Sequence, residues 1–191
     1  MSNDPSMAPR VPPGQIVTQK FPVMTAGTPR TASKEEWSLT LDGEVLNPVV
    51  LDWTTLNDLP FRDFKTDIHC VTKWSKLDTV WRGVDIDVLV DLVQPSPEAR
   101  FVLAKADGDY TANLHLGDLT GGQAIVATQF DGKPLEPAHG GPVRLVAPRL
   151  YFWKSAKWLR GLHFSQSDYK GYWEKLGYHN YGDPWKVQRY R

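Results

Sequence analysis

The chain has 191 residues, of which 41% are hydrophobic and 23% charged, a composition typical of one globular domain. Its 22 basic residues balance 22 acidic ones. A neutral chain excludes the long-range attraction by which basic proteins find nucleic acid or anionic lipid. No apolar stretch approaches the length of a membrane span.

The first half of the chain predicts an arm followed by short strands and one helix. Residues 1–15 are rich in proline and predict an extended arm, and residues 16–191 predict a single domain. Residues 15–30 are loop-like. Alternating residues 37–41 before Asp42-Gly43 predict a strand, a turn and a second strand. Residues 52–60 predict a short helix stopped before proline, and residues 64–71 predict a strand.

The second half predicts one more helix and several strands. Residues 84–93 have apolar positions at helical spacing and end at Gln94-Pro95. Strands are predicted at 101–106, 110–116, 124–130, 143–148 and 158–164, and the aromatic tail 165–191 is expected to pack over the core. Many short strands, few helices and no alternation of strand and helix indicate an α+β fold with mixed sheets.

Cys70 is the only cysteine, so it forms no internal disulfide and acts as a thiol or as a ligand. A thiolate is the soft donor that transition metals select. The neighbouring Lys73 and His69 are expected to lower the thiol pKa and favour that form. The alternative is a buried structural cysteine. Zinc is disfavoured because no second cysteine or spaced histidine pair completes a tetrahedral set.

The N-terminal residues also predict a compartment. Residues 1–20 contain neither a basic start nor an apolar run of seven, so we expect no export signal. A single cysteine is typical of a reducing environment. Together these features predict a cytoplasmic protein.

Four segments carry motifs that are specific in combination. They are the arm residues 18–23, the run His69-Cys70-Val71-Thr72-Lys73-Trp74-Ser75 with Trp81-Arg82-Gly83-Val84, the loop 139–148, and the stretch 154–159. In order and spacing they resemble the molybdopterin-binding domain of the sulfite oxidase family, from about residue 16 to 181. That family includes the catalytic subunit of bacterial protein-methionine-sulfoxide reductase. The resemblance implies the fold of that domain and a molybdenum-molybdopterin cofactor with one pterin per metal.

The resemblance also implies roles for individual residues. Cys70 would be the protein ligand of molybdenum, and Arg144 and Lys157 would hold the cofactor phosphate, as fixed cations do. Further cofactor contacts are implied at Thr18, Lys20, Phe21, Asp107, His139, Ser155 and Ala156.

A tyrosine beside the metal is also implied. Tyr178, with Trp173, falls on the aromatic pair of the vertebrate sulfite oxidases, while Tyr169 is a competing match that needs a gap. Tyr178, Lys73 and His69 are candidates for polarising the departing oxygen of a substrate. Cys70, Tyr178 and Lys73 form the expected catalytic set.

Departures from the family pattern bear on the substrate. Thr18 and Ser75 stand where sulfite oxidases place arginines that hold sulfite. We also expect the dimerisation domain that supplies a third arginine, and the haem domain, to be missing from this protein. The resemblance therefore implies two-electron oxygen-atom transfer towards reduction of an S-oxide or an N-oxide, with a small-molecule or sulfoxide substrate. Electrons would come from a separate protein.

Two other functions remain open. One is a non-catalytic molybdopterin-binding or carrier protein, since electron-transfer and dimerisation domains are not recognised. The other is a thiol enzyme that acts through Cys70 with a histidine base. It is disfavoured for His69 because adjacent residues of a strand point to opposite faces.

Overall fold

The computed structural model describes residues 10–26 and 33–191, so part of the predicted arm and part of the loop 15–30 lie outside the described residues. The described strands are β1 (Ile16–Val17), β2 (Ser38–Gly43), β3 (Val49–Asp52), β4 (Phe61–His69), β5 (Trp74–Asp85), β6 (Phe101–Ala106), β7 (Thr111–His115), β8 (Ile125–Phe130), β9 (Lys133–Pro134), β10 (Arg144–Val146) and β11 (Leu159–Ser165). The helices are α1 (Trp53–Asn57), α2 (Ile86–Val93) and α3 (Tyr172–Lys175). The predicted α+β class with mixed sheets is confirmed.

The first sheet has the order β1-β5-β8-β10, with β4 also paired to β5 and β9 to β8. β5 is its longest strand and pairs with β4 over most of its length, from Phe61 opposite Val84 to His69 opposite Ser75. β1 runs parallel to the start of β5, with Ile16 opposite Trp74. The turn just before β5, which contains Cys70, therefore lies between two strands, β1 and β4, that both pair with the start of β5.

The second sheet has the order β3-β2-β11-β6-β7. The main core contains side chains of both sheets and of α2, including Leu39, Leu89, Val126 and Leu162, all at most 1% exposed. Burial of apolar side chains on this scale is the dominant stabilising contribution to the fold. The sheets thus form a fixed frame, and the loops at their ends carry the site.

The two predicted helices begin at aspartate caps. The Asp52 carboxylate accepts from the Thr55 N–H at 2.8 Å, and the Asp85 carboxylate accepts from the Asp87 N–H at 2.9 Å. Such side chains satisfy N–H groups that the first turn leaves unpaired. α2 ends at Gln94, whose φ is 51°.

Four observed elements differ from the prediction. β5, β9 and α3 have no counterpart among the predicted elements, and β1 lies in the segment predicted as loop. Within the described residues, no helix combines the length and the apolar character needed to cross a membrane.

Candidate active site

Loops from four parts of the chain enclose a cavity of about 220 Å³. Its wall is formed by five arm residues between Phe21 and Ala26, by side chains between 139 and 158, by an aromatic group that includes Tyr110 and Tyr178, and by the residues around the start of β5, namely Cys70, Val71, Thr72 and Trp74. A cleft that mixes apolar walls with a few polar groups is the usual form of a ligand site.

Cys70 lies in a tight turn at the end of β4. Its N–H donates to the Trp74 carbonyl at 2.8 Å, and the Lys73 N–H donates back to the Cys70 carbonyl at 3.1 Å. Cys70 is 6% exposed and lines the cavity, and its sulfur lies 3.1 Å from the Thr72 hydroxyl oxygen. Burial raises the pKa of the Cys70 thiol, while the Thr72 hydrogen bond opposes that rise. The protein alone therefore favours the thiol, and a bound metal would supply the charge that stabilises the thiolate.

Two predicted neighbours of Cys70 lie outside the cavity wall. Lys73 is exposed and has φ 72°, which places it in a left-handed turn position. The expected lowering of the thiol pKa by Lys73 is wrong, since burial dominates. His69 is 4% exposed and its Nδ1 lies 2.8 Å from the Ser75 hydroxyl oxygen. Burial lowers the pKa of His69 to about 4, so its ring is neutral.

Two cations form one end of the cavity. The Arg144 guanidinium is buried and donates to the carbonyls of His139 at 2.7 Å and Ser155 at 2.9 Å. The Lys157 ammonium donates to the Ala138 carbonyl at 2.7 Å and to the Thr25 hydroxyl at 2.9 Å.

Neither Arg144 nor Lys157 pairs with a carboxylate of the described residues. Burial together with Arg144 lowers the pKa of Lys157 to about 8. Two partly desolvated cations that lack an acidic partner are suited to an anion such as a phosphate.

The close packing of Lys157 against the loop that precedes Arg144 depends on Gly140. Its φ is 102°, and a Cβ there would lie 2.9 Å from Cβ and Cγ of Lys157. Only glycine accepts this conformation and this approach without strain. The Ser155 hydroxyl lines the cavity and accepts from the Ala147 N–H at 2.9 Å. Ala156 is 1% exposed in the main core, so it supports the loop from outside the cavity wall.

The arm closes another side of the cavity. The Phe21 ring stacks on the His139 ring at 4.0 Å with an interplanar angle of 10°. Thr18 and Lys20 do not line the cavity: the Thr18 N–H donates to the Ser75 carbonyl at 2.9 Å, and Lys20 is exposed. Asp107 also lies outside the wall, where it pairs with Arg160 at 2.9 Å.

The end of the cavity nearest Cys70 is aromatic. Tyr178 lines it, and its ring lies 5.1 Å from the Trp153 ring and 4.7 Å from the Trp173 ring. Tyr178 and Trp153 both pack against the cluster that contains Cys70. Tyr169 is 53% exposed and lies outside the wall, so the geometry favours Tyr178 of the two tyrosines.

A buried ion pair holds this aromatic wall in place. Lys154 and Glu174 are 0% and 1% exposed, and their charged atoms lie 2.7 Å apart. The Trp153 indole N–H also donates to Glu174 at 2.7 Å, and Lys154 donates to the Asn113 side chain at 2.8 Å. No sequence motif assigns an individual role to Lys154, Glu174 or Trp153.

The residues present fit a molybdenum-pterin group. One thiol, two cations and an aromatic wall meet in one cavity, and the Trp74 indole N–H there is buried without a partner among the described residues. Buried donors of this kind require an acceptor. In residues 10–26 and 33–191, no three His, Cys, Asp or Glu side chains lie close enough to hold a metal by themselves.

Comparisons with known proteins give concordant results. Residues 25–173 match the family described as oxidoreductase molybdopterin binding domain. The chain is 43% identical to the uncharacterized oxidoreductase YuiH of Bacillus subtilis, over 95% of this chain and 92% of that protein.

More distant relatives include the protein-methionine-sulfoxide reductase catalytic subunit MsrP. Identity is 26% to that of Campylobacter jejuni, over 78% of this chain and 55% of that protein, and 27% to that of Pseudomonas syringae, over 84% and 52%. This chain thus spans about half the length of these MsrP proteins.

The crystal structure of the sulfane dehydrogenase SoxCD from Paracoccus pantotrophus has the same fold. Its TM-score is 0.67 at 19% identity, covering 73% of this chain and 41% of that one.

Proposed function

The chain belongs to the molybdopterin-binding oxidoreductases of the sulfite oxidase family, and from that premise we propose that it reduces an S-oxide or an N-oxide by oxygen-atom transfer. The observation that carries the proposal is the meeting of Cys70 with Arg144 and Lys157 in one cavity. Cys70 would bind the metal, and the two cations would bind the phosphate of a single pterin. When bound, the cofactor supplies the two-electron redox chemistry.

The overall reaction balances with two electrons and two protons. The sulfur–oxygen or nitrogen–oxygen bond of the substrate breaks, the sulfur or nitrogen keeps a lone pair, and the oxygen leaves as water. A separate electron-transfer protein provides the electrons. Tyr178 is the proposed proton donor towards the departing oxygen, because it lines the cavity and packs against the cluster that contains Cys70, and burial raises the pKa of its hydroxyl, so the phenol is protonated.

The placement of the cations argues against sulfite as substrate. Arg144 and Lys157 lie in the loops 139–158, where the phosphate is expected, whereas aromatic rings form the wall beside Cys70. Among the described residues, the buried Arg189 is the cation whose charge acts on the Cys70 thiol, and its guanidinium lies 5.3 Å from the Tyr151 ring, so a doubly charged anion there would be balanced by a single cation, which costs affinity. An uncharged oxide suits such a wall better.

A metal and activity measurement tests the proposal. Protein made in a cofactor-competent host should contain molybdenum and reduce dimethyl sulfoxide or trimethylamine N-oxide with a reduced dye. Cys70→Ala should abolish both molybdenum retention and turnover. Tyr178→Phe should lower the turnover number about a hundredfold, while the matched Tyr169→Phe should leave it unchanged.

The same experiment separates the alternatives. Stoichiometric molybdenum without turnover of any oxide would favour a cofactor-binding or carrier protein. Activity that persists without molybdenum would favour a thiol enzyme, although the buried, neutral His69 bonds Ser75 rather than Cys70. The cytoplasmic location is part of the proposal, and fractionation of cells that express the full chain checks it.

A further inference from the structure

We propose that an exposed patch near the end of the chain is the docking surface for an acidic electron-carrier protein. This C-terminal patch consists of Lys170, Tyr172, Lys175, Leu176 and Tyr190. The inference rests on the proposed function, because it assigns the place where the separate electron donor of that reaction binds.

The patch is one stretch of surface around α3. Tyr172 opens the helix and Leu176 is its cap, four residues later, so the two side chains share one face. Tyr190 pairs with Tyr178 in an antiparallel bridge just after that helix. The patch therefore joins α3 to the C-terminal residues.

The patch exposes large apolar side chains. Leu176 and Tyr190 are 62% and 60% exposed, and Tyr172 is also exposed. Trp185 and Val187 of the adjoining loop are exposed as well. Apolar surface gathered in one place and bordered by polar groups is typical of a protein interaction site.

The exposed charge of this region is positive. In residues 166–190, every exposed charged side chain is a lysine, namely Lys170, Lys175 or Lys186. Lys186 lies 3.7 Å from the Asp183 carboxylate. Lys170 and Lys175 form no ion pair with any described residue, so their charges are open to a partner.

The acidic groups of the same stretch are occupied inside the fold. Glu174 is buried with Lys154. The Asp168 carboxylate accepts from the Asn113 and Asn180 side chains, each at 2.7 Å. The exposed lysines therefore give this face a positive potential although the whole chain is neutral.

The exposed rings of the patch touch rings that line the cavity. The Tyr190 ring lies 5.1 Å from the Tyr178 ring, and the Tyr172 ring lies 5.1 Å from the Trp173 ring. Tyr178 and Trp173 both line the cavity, and Tyr178 packs against the cluster of Cys70. Because electron transfer slows steeply with distance, a carrier on this face would be well placed to reduce a metal bound at Cys70.

Charge and position together select the occupant. A second copy of this chain would place lysines against lysines in a symmetric contact, which costs free energy. An anionic membrane would match the lysines and the rings, but it would not use the contact between the patch and the redox cavity. An acidic electron carrier uses both features.

Binding of an acidic [2Fe–2S] ferredoxin to the molybdenum-loaded protein tests the surface without turnover. Calorimetry would follow the titration, with basic cytochrome c as a carrier of opposite charge and phosphatidylglycerol vesicles as an anionic lipid surface. We expect the ferredoxin to bind at least about tenfold more tightly than cytochrome c at low salt. Its affinity should fall about tenfold between about 50 and 300 mM salt.

A charge reversal locates the binding. Lys175→Glu should weaken ferredoxin binding about tenfold. Lys34→Glu is the matched control. The Lys34 ammonium lies 4.7 Å from the ring centre of Trp53, which begins α1 directly after β3. β3 and β7 are opposite edges of the second sheet, and α3 contacts β7, so Lys34 is remote from the patch.

An apolar pair of variants tests the other component. Leu176→Ser should weaken ferredoxin binding about fivefold. Leu46→Ser is its control, because Leu46 is 72% exposed in the turn between β2 and β3 and should leave the affinity unchanged. Unchanged molybdenum content and thermal unfolding establish that each variant is folded.

Four results would overturn the docking surface. They are an unchanged affinity in Lys175→Glu, an equal loss in Lys34→Glu, equal binding of cytochrome c and ferredoxin, and binding of the vesicles in place of ferredoxin.

The outcomes also separate the two proposals. A reduced dye needs no docking surface, so Lys175→Glu should leave dye-driven turnover unchanged and slow ferredoxin-driven turnover about tenfold. Lysine-dependent ferredoxin binding by a protein that reduces no oxide supports the surface and refutes the proposed function. Dye-driven oxide reduction by a protein with no affinity for ferredoxin supports the function and refutes the surface.

Discussion

The hydroxyl oxygen of Thr72 lies 3.1 Å from the sulfur of Cys70, and both residues line the cavity. When the sulfur is bound to a metal as a thiolate, the hydroxyl is the partner that carries the proton. Hydrogen bonds to a metal-bound sulfur withdraw electron density from it and tune the potential of the metal.

Replacement of Thr72 tests this hydrogen bond. Thr72→Val keeps the shape and removes the hydroxyl, so the loaded protein should have a lower molybdenum midpoint potential, by an amount on the order of tens of millivolts. Thr72→Ser should restore most of the difference. A potentiometric titration followed by electron paramagnetic resonance measures both, and equal potentials in Thr72→Val and the wild type would contradict the assignment.

The buried Lys154–Glu174 pair predicts a large stability effect. Lys154→Met leaves Glu174 charged and unpaired in the interior, and such changes cost about 3–5 kcal/mol of the free energy of unfolding. The double variant Lys154→Met, Glu174→Leu should recover part of that loss, because no lone charge remains. The exposed pair of Arg82 and Asp63 is the control, where Asp63→Asn should change stability by less than about 1 kcal/mol.

Urea unfolding of these variants separates the two kinds of ion pair. If Lys154→Met is no less stable than Asp63→Asn, the buried pair does not stabilise the aromatic wall.

Gly140→Ala is expected to destabilise the loop that precedes Arg144 and to displace Lys157. Gly140 has φ 102°, and the added methyl would lie 2.9 Å from the Lys157 side chain. The variant combines left-handed strain with a clash, so it should lose about 1–3 kcal/mol of stability and release cofactor more readily. Gly132→Ala is the matched control, because Gly132 has φ 73° and nothing within 4 Å of an added Cβ. Thermal unfolding and molybdenum retention should both distinguish the two variants.

Anion binding at the cation end should depend on pH. Burial and Arg144 lower the pKa of Lys157 to about 8, so its positive charge is present at pH 7 and mostly lost at pH 9. The affinity of the cofactor-free protein for sulfate, whose own charge is constant over this range, should therefore fall as pH rises through 8. Lys157→Met should bind sulfate weakly at both pH values. Isothermal titration calorimetry provides the measurement, and a flat profile in the wild type would exclude Lys157 as the titrating group.

Sequence periodicity predicted most of the short strands but not β5. The strand is interrupted opposite the bulge between Thr66 and Ile68, where Asp78 has φ 55°. A second register shift follows between Arg82 and Gly83. Each shift breaks the alternation of buried and exposed side chains on which strand prediction depends. The partners that fix β5 are distant in sequence, so no local pattern reveals it.

Site residues that belong to sequence motifs were predicted, whereas site residues that are positioned by packing between distant segments were missed. Cys70, Arg144 and Lys157 lie in motifs, and the structure brings them to one cavity. Trp153 and Glu174 depend on a buried ion pair between distant segments, which no local spacing encodes. Lys73 lies close to Cys70 in sequence, but the turn leaves it exposed.

The route of the arm constrains how the protein is assembled. The Gln15 side chain donates to the Cys70 carbonyl at 3.1 Å, β1 pairs with β5, and Thr25 accepts from Lys157. One continuous stretch of the arm thus contacts both the turn that contains Cys70 and the Lys157 ammonium at the phosphate end. A bound cofactor and an ordered arm would therefore stabilise each other, because the same segment contacts both ends of the site.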